Sequence, residues 1–325
     1  MKPLLGVTMG DPAGIGPEIA LRAVELSDAA VLLIGDPELL IGRAGELIPT
    51  RVPELVDTAA DARALLAAGA PGPWVVRVTR VEAGLAPGAP RTADGRAALD
   101  CILAGAALAE AGEIDALVTA PVNKDLIARH EPRFLGHTEM LAERVGRDPI
   151  MLFAGIRPHV ALLTTHLPTA TALTLIRTDA VERMLRRMHD EWSATFGHTP
   201  RIGVAALNPH AGEGGRLGSE ESRLLAPAIA VAREAGVSAH GPYPADSIFL
   251  REELDVVLAL YHDQGTIIAK RAPTPSVNVT LGLPYVRTSP DHGTAYDRAA
   301  AGGADAEPMT VAVQLAAELA ERKRD

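Results

Sequence analysis

What this 325-residue chain lacks narrows its chemistry before any motif is read. Its one cysteine, Cys101, excludes an internal disulfide and suits a reducing compartment. No apolar run approaches the roughly 18 residues that a membrane helix needs. No basic stretch is longer than Arg322-Lys323-Arg324, and the formal charge is −10. Neither nucleic acid nor an anionic membrane surface is therefore an expected partner. Asp11 follows too soon after Met1-Lys2-Pro3 to leave room for a signal-peptide core, so a cytoplasmic location is expected. Lysine is scarce: it occurs only at Lys2, Lys124, Lys270 and Lys323, against an otherwise arginine-based set of cations. An ammonium is a compact point charge that guanidinium does not replace where close approach matters, which singles out Lys124 and Lys270. The glycine-rich stretches at 10–16 and 210–216 fit neither G-x-G-x-x-G nor the Walker pattern, so no ordinary dinucleotide fingerprint exists.

What is present is a soluble globular pattern, 47% apolar and 22% charged, in a chain long enough for two domains. Short apolar runs at 4–9, 31–34, 75–78, 116–119, 150–153, 160–164, 202–206, 256–260 and 277–280 read as strands. Helical patterns fill 92–111, 178–196, 220–235 and 308–321, with further starts at Pro17 and Asp36-Pro37. Strands alternating with helices predict an α/β architecture with mainly parallel sheet, and a boundary near Arg129–Phe134.

Three of the later strands run straight into histidine: His166, His210 and His262. Ligands bind outside the carboxyl ends of parallel strands, and three imidazoles delivered there make a candidate catalytic metal site. Asp263 follows His262, and Asp246 sits in the turn Tyr243-Pro244-Ala245-Asp246. Either carboxylate can orient a metal-bound imidazole or move a proton. Gly136-His137-Thr138-Glu139 reads as a helix start able to hold an anion, and Lys270, Asn278 and Arg287 are donors of the type that binds phosphate or carboxylate. On residues alone, a three-histidine metal hydrolase and a phosphoester-binding module remain rivals to any dehydrogenase.

Several phrases together carry a resemblance. They are Gly6-Val7-Thr8-Met9-Gly10-Asp11-Pro12-Ala13-Gly14-Ile15-Gly16-Pro17-Glu18, Thr119-Ala120-Pro121-Val122-Asn123-Lys124 and Gly136-His137-Thr138-Glu139. Further along come Asn208-Pro209-His210-Ala211-Gly212-Glu213, Tyr261-His262-Asp263-Gln264-Gly265, Asn278 to Pro284, Arg287-Thr288-Ser289 and Asp291-His292-Gly293-Thr294-Ala295. In that order they resemble the 4-hydroxythreonine-4-phosphate dehydrogenase (PdxA) family over nearly the whole chain. The resemblance implies an isocitrate/isopropylmalate dehydrogenase-like α/β fold, with two α/β domains flanking an active-site cleft. The first is expected at 1–130 plus 295–325. The second, 131–294, would carry the metal-site and dimer-interface residues. It implies a homodimer in which a divalent metal (zinc, magnesium or cobalt) is held by His166, His210 and His262, two from one subunit and one from its partner.

Substrate contacts then fall on His137, Thr138, Lys270, Asn278 and Arg287, while Lys124, Asp246 and Asp263 are the acid–base candidates. NAD or NADP is the implied oxidant. The implied reaction converts 4-phosphohydroxy-L-threonine to 3-amino-2-oxopropyl phosphate, a step of pyridoxal phosphate biosynthesis. The loop Ala272-Pro273-Thr274-Pro275 and the run Arg298-Ala299-Ala300-Ala301-Gly302 depart from the family pattern. That leaves threonate or erythronate 4-phosphate, or an aromatic cis-dihydrodiol carboxylate, as alternative substrates.

Overall fold

The computed structural model describes residues 2–323, so Arg324 of the basic terminal run lies outside the described residues. In chain order the strands are β1 (Leu4–Thr8), β2 (Ala30–Gly35), β3 (Glu54–Val56), β4 (Trp74–Arg77), β5 (Ala116–Thr119) and β6 (Ile150–Ala154). They continue with β7 (His159–Leu162), β8 (Ile202–Ala205), β9 (Ala239–Tyr243), β10 (Val256–Ala259), β11 (Val277–Leu281) and β12 (Val286–Pro290). Among the described residues no helix is long and apolar enough to cross a membrane.

The chain divides into two compact units, Met1–Pro149 with Gly282–Asp325, and Ile150–Leu281. In the first, the strand order is β3-β4-β2-β1-β5-β12, and every pairing is parallel. β1, β2 and β5 are buried along their whole length, as expected for apolar runs covered by helices on both faces. The helices start where side chains take up free amides. The Asp36 carboxylate accepts from Glu38 N and Leu39 N, and Thr58 and Asp61 form a capping box. A Cβ on Gly95 would lie 2.5 Å from the Leu126 backbone, so glycine there is what lets helix Thr92–Glu110 press against the short helix Lys124–Ala128.

These divisions differ from the boundaries expected near 130 and 294. Residues 131–149 stay with the first unit because helix His137–Arg144 is tied to helix Thr92–Glu110 by Arg144 Nε to Glu110 Oε1 at 2.6 Å. Residues 282–294 stay there because β12 pairs in parallel with β5, Arg287 lying opposite Leu117. The polar letters Arg287-Thr288-Ser289 gave no strand signal, yet all three are buried.

The second unit has the order β11-β6-β7-β10-β8-β9. β7, β10, β8 and β9 are parallel, but β6 runs antiparallel to both its neighbours, so the sheet here is mixed. Helix Thr178–Phe196 has the bounds its pattern predicts; Val181, Leu185, Met188, Trp192 and Phe196 form its buried stripe, and Gly197 ends it at φ 76°.

Candidate active site

The exits of β7, β10 and β8 lie side by side, and short polar ties hold them together. Leu163 N donates to Ala259 O at 2.8 Å, and the buried Thr164 hydroxyl donates to Leu260 O at 2.9 Å. Gln264 spans the next gap, accepting from Leu260 N at 2.7 Å and donating to Ala206 O at 2.8 Å. On this frame His166 and His262 meet with ring centroids 5.6 Å apart, at the mouth of a cavity of about 250 Å³ lined also by Tyr261 and Asp263. A metal–nitrogen bond of about 2.0–2.1 Å puts a ring centroid roughly 3.2 Å from the ion, so two ligand rings at a tetrahedral angle sit about 5.2 Å apart. The pair therefore fits two positions on one ion. His262 Nδ1 donates to Asp263 Oδ1 at 2.7 Å, which leaves Nε2 as the ligating nitrogen.

His210 is delivered differently. It opens a run of left-handed backbone in which His210, Ala211, Gly212, Glu213 and Gly214 have φ of 51°, 53°, 78°, 43° and 65°. Three non-glycine residues in this region store strain of the kind that accompanies functional loops. The Glu221 carboxylate anchors the approach by accepting from Leu207 N at 3.0 Å and Asn208 N at 2.7 Å. His210 Nδ1 donates to Glu213 Oε1 at 2.8 Å, and that carboxylate, with Asp246 contributing less, raises the imidazole above its ordinary range. The ring is largely exposed, and among the described residues no group of three His, Cys, Asp or Glu forms a metal cage within the chain.

In the first unit a cationic cluster surrounds the start of helix His137–Arg144. Arg287 is 3% exposed, and burial pushes its guanidinium down to about 10. It donates to Thr119 Oγ1 at 2.5 Å and to Thr138 Oγ1 at 3.5 Å. His137 is held neutral, well below its ordinary range, by burial and then by the charges of Arg287 and Lys124. Its covered Nε2 makes no hydrogen bond among the described residues. A Cβ on Gly136 would lie 3.2 Å from the Lys124 ammonium and 2.7 Å from Glu139 Oε2, so glycine leaves the space into which both side chains reach. Two cations, a neutral imidazole and two hydroxyls, with the Glu139 carboxylate beside them, form a donor-rich cluster suited to an oxyanion.

Comparison with known proteins fits this chemistry. The family described as pyridoxal phosphate biosynthetic protein PdxA matches residues 27–316. The chain belongs to the PdxA family. A 4-hydroxythreonine-4-phosphate dehydrogenase of Methylococcus capsulatus is 42% identical over 327 residues, covering 98% of each chain. A D-threonate 4-phosphate dehydrogenase of Pectobacterium atrosepticum is 38% identical, covering 98% of this chain and 100% of its own. The crystal structure of a 4-hydroxythreonine-4-phosphate dehydrogenase from Klebsiella pneumoniae superposes with a TM-score of 0.83 at 35% identity, covering 98% of both chains. The α/β fold expected from the resemblance is thus that of solved PdxA-family structures.

Other expected site residues of this PdxA-family chain lie apart from the two clusters within their units. Lys270 is exposed at the end of helix His262–Ala269, and Asn278 lies half-buried on β11 opposite Phe153. Sequence reading missed Gln264 and Glu221, whose work is to hold strand exits, and it missed a trio built on the buried Asp11 in the first unit. There the Tyr296 hydroxyl donates to Asp11 Oδ2 at 2.6 Å and accepts from Asn123 Nδ2 at 3.0 Å. A cavity of about 480 Å³ beside it is lined by Ile15, His292, Ala295, Arg298, Ala304 and Asp305.

Proposed function

We propose that this chain is an NAD(P)- and divalent-metal-dependent dehydrogenase that oxidises and decarboxylates 4-phosphohydroxy-L-threonine to 3-amino-2-oxopropyl phosphate. The observation that carries the reading is the buried Arg287 guanidinium with Thr119, Thr138, His137 and Lys124 around it, in a chain of the PdxA family. A dianionic phosphate offsets the cost of burying that charge and uses every donor.

His166 and His262 hold the metal ion from one chain, and the exposed His210, oriented by Glu213, is the ligand supplied to a second copy in a homodimer. Zinc and cobalt suit such an imidazole set, with magnesium less at home there. The ion supplies Lewis acidity to the reacting hydroxyl and to the negative charge left when carbon dioxide departs. Asp263 fixes the tautomer and orientation of His262, and Asp246 lies near enough to His210 for its charge to be felt there. In the first unit His137 and Thr138 hold the substrate's phosphate together with Arg287, and in the second unit Lys270 and Asn278 are donors for substrate oxygens. Lys124 adds a mobile cation that can also carry a proton. With a nicotinamide bound as oxidant, the carbon bearing the hydroxyl would give up a hydride to it. The hydroxyl proton leaves to solvent, the resulting β-keto acid loses its carboxylate as carbon dioxide, and the enolate left behind takes up one proton at carbon, from Lys124 or from water, to give the ketone. The 480 Å³ cavity is the place we assign to the nicotinamide cofactor, and its lining holds both the Asp305 carboxylate, suited to a ribose hydroxyl, and the Arg298 guanidinium, suited to a 2′-phosphate, so NAD and NADP both fit the chemistry there.

A second reading, a four-carbon sugar-acid 4-phosphate as substrate, is favoured by the Pectobacterium relative. Initial rates should be compared on phosphohydroxythreonine, D-threonate 4-phosphate, D-erythronate 4-phosphate and a phosphate-free cis-dihydrodiol carboxylate. The highest kcat/KM is expected on phosphohydroxythreonine. Preference for the threonate ester would move the assignment to the second reading, and preference for the phosphate-free diol would overturn both.

A further inference from the structure

Tyr296 joins residues that are far apart in sequence. It follows Ala295, whose φ of 41° turns the chain so that Tyr296 opens the helix Tyr296–Ala301. Its hydroxyl gives its proton to Asp11, a carboxylate with no exposed surface, and takes one from the side-chain amide of Asn123. Asn123 also works at its other end, where Oδ1 accepts from Leu126 N at 3.1 Å and so caps the helix Lys124–Ala128. An asparagine amide is planar and turns as one piece. Holding Nδ2 on the tyrosine oxygen therefore fixes Oδ1 on the helix cap. The capped helix has five residues, and its first is Lys124. Helices this short are marginal without such a cap.

We propose that Tyr296 is a positioning residue for Lys124: through Asn123, its hydroxyl sets where the ammonium stands beside His137 and Arg287. This deepens the reading above, because it rests on Lys124 belonging to the oxyanion pocket. Burial, and then the hydrogen bond to Asp11, push the Tyr296 phenol above its ordinary range, so it keeps the proton that it donates.

The scarcity of lysine provides a direct readout. With four lysines in the chain, reductive 13C-methylation gives few signals, and Lys124→Arg identifies the one from Lys124. Inorganic phosphate is titrated into the wild type, Tyr296→Phe and Asn123→Ser; serine still caps the helix but cannot reach the tyrosine. In the wild type, phosphate should move the Lys124 signal. Both variants should displace that signal before phosphate is added, leave Lys270 unchanged, and weaken phosphate binding about five- to tenfold. A variant that merely loosened the fold would not single out Lys124. If phosphate moves the Lys124 signal in the wild type but both variants match it in signal and affinity, the positioning role is wrong. If phosphate fails to move it in the wild type, Lys124 leaves the oxyanion pocket, and its displacement in the variants alone then decides the positioning role.

Discussion

Replacing Arg287 by Met should make the ligand-free protein more stable and the enzyme far worse. The guanidinium is 3% exposed, and burial lowers it from 12.5 to about 10. Because the folded state holds this proton less tightly than the unfolded chain does, the charged form weakens the fold at every pH below about 10. At neutral pH that cost is about 3 kcal/mol, each decade of proton affinity being worth about 1.4 kcal/mol. Methionine has a similar length and no charge, so it removes this cost. It also forfeits the hydrogen bond to Thr119 and the longer, weaker one to Thr138, together worth about 1–2 kcal/mol. The balance is a stabilisation of about 1–2 kcal/mol, read as a higher urea midpoint in the absence of substrate. A charge-assisted bond to phosphate contributes about 1.5–3 kcal/mol, so KM for the phosphorylated substrate should rise roughly ten- to 150-fold. A variant less stable than the wild type, or one with unchanged KM, would refute the idea that a ligand anion offsets the buried charge.

Three further outcomes follow from other parts of the molecule. Burial against Trp192 and Phe196 holds His159 down to about 4. The unfolded chain therefore binds the extra proton first, and about 3 kcal/mol of stability should be lost as pH falls from about 6.5 to 4. His159→Phe should flatten that part of the stability–pH curve, and an unchanged slope would show that other groups set it. At Ala211, φ is 53°, so Ala211→Gly should relieve about 1–2 kcal/mol of strain against about 0.4–1 kcal/mol of added unfolded-state entropy, raising Tm slightly; a fall in Tm would count against the strain. His166→Ala and His262→Ala lie on one side of the proposed metal site and should not complement each other in mixed dimers, whereas either should complement His210→Ala to about half of wild-type activity per mixed dimer. Recovery from the His166 and His262 pair would reverse the assignment of the ligand supplied by the second copy.

What the sequence could show was set by how local the signal is. Buried parallel strands announce themselves as apolar runs, and the stripe on helix Thr178–Phe196 repeats every three or four residues. The placement of His166, His210 and His262 after parallel strands was equally legible, since it needs only the run and the residue that ends it. β12 was not, because Arg287, Thr288 and Ser289 look like loop residues until β5 lies beside them. The antiparallel direction of β6 was also hidden, since a fully buried run reads the same either way. The bond between Tyr296 and Asp11 joins positions 285 residues apart, and neither neighbourhood names the other. Nothing in the sequence around Glu221 and Gln264 marks them, although their carboxylate and amide groups hold the strand exits that bring the histidines forward.

The central claim is one oxidation coupled to one decarboxylation under a divalent metal. It is tested most directly by measuring reduced nicotinamide and carbon dioxide together from carboxyl-labelled phosphohydroxythreonine, with and without a chelator. One carbon dioxide is expected per reduced nicotinamide, both lost on chelation and both restored by zinc or cobalt. Reduced nicotinamide without carbon dioxide, or turnover untouched by chelation, would contradict it.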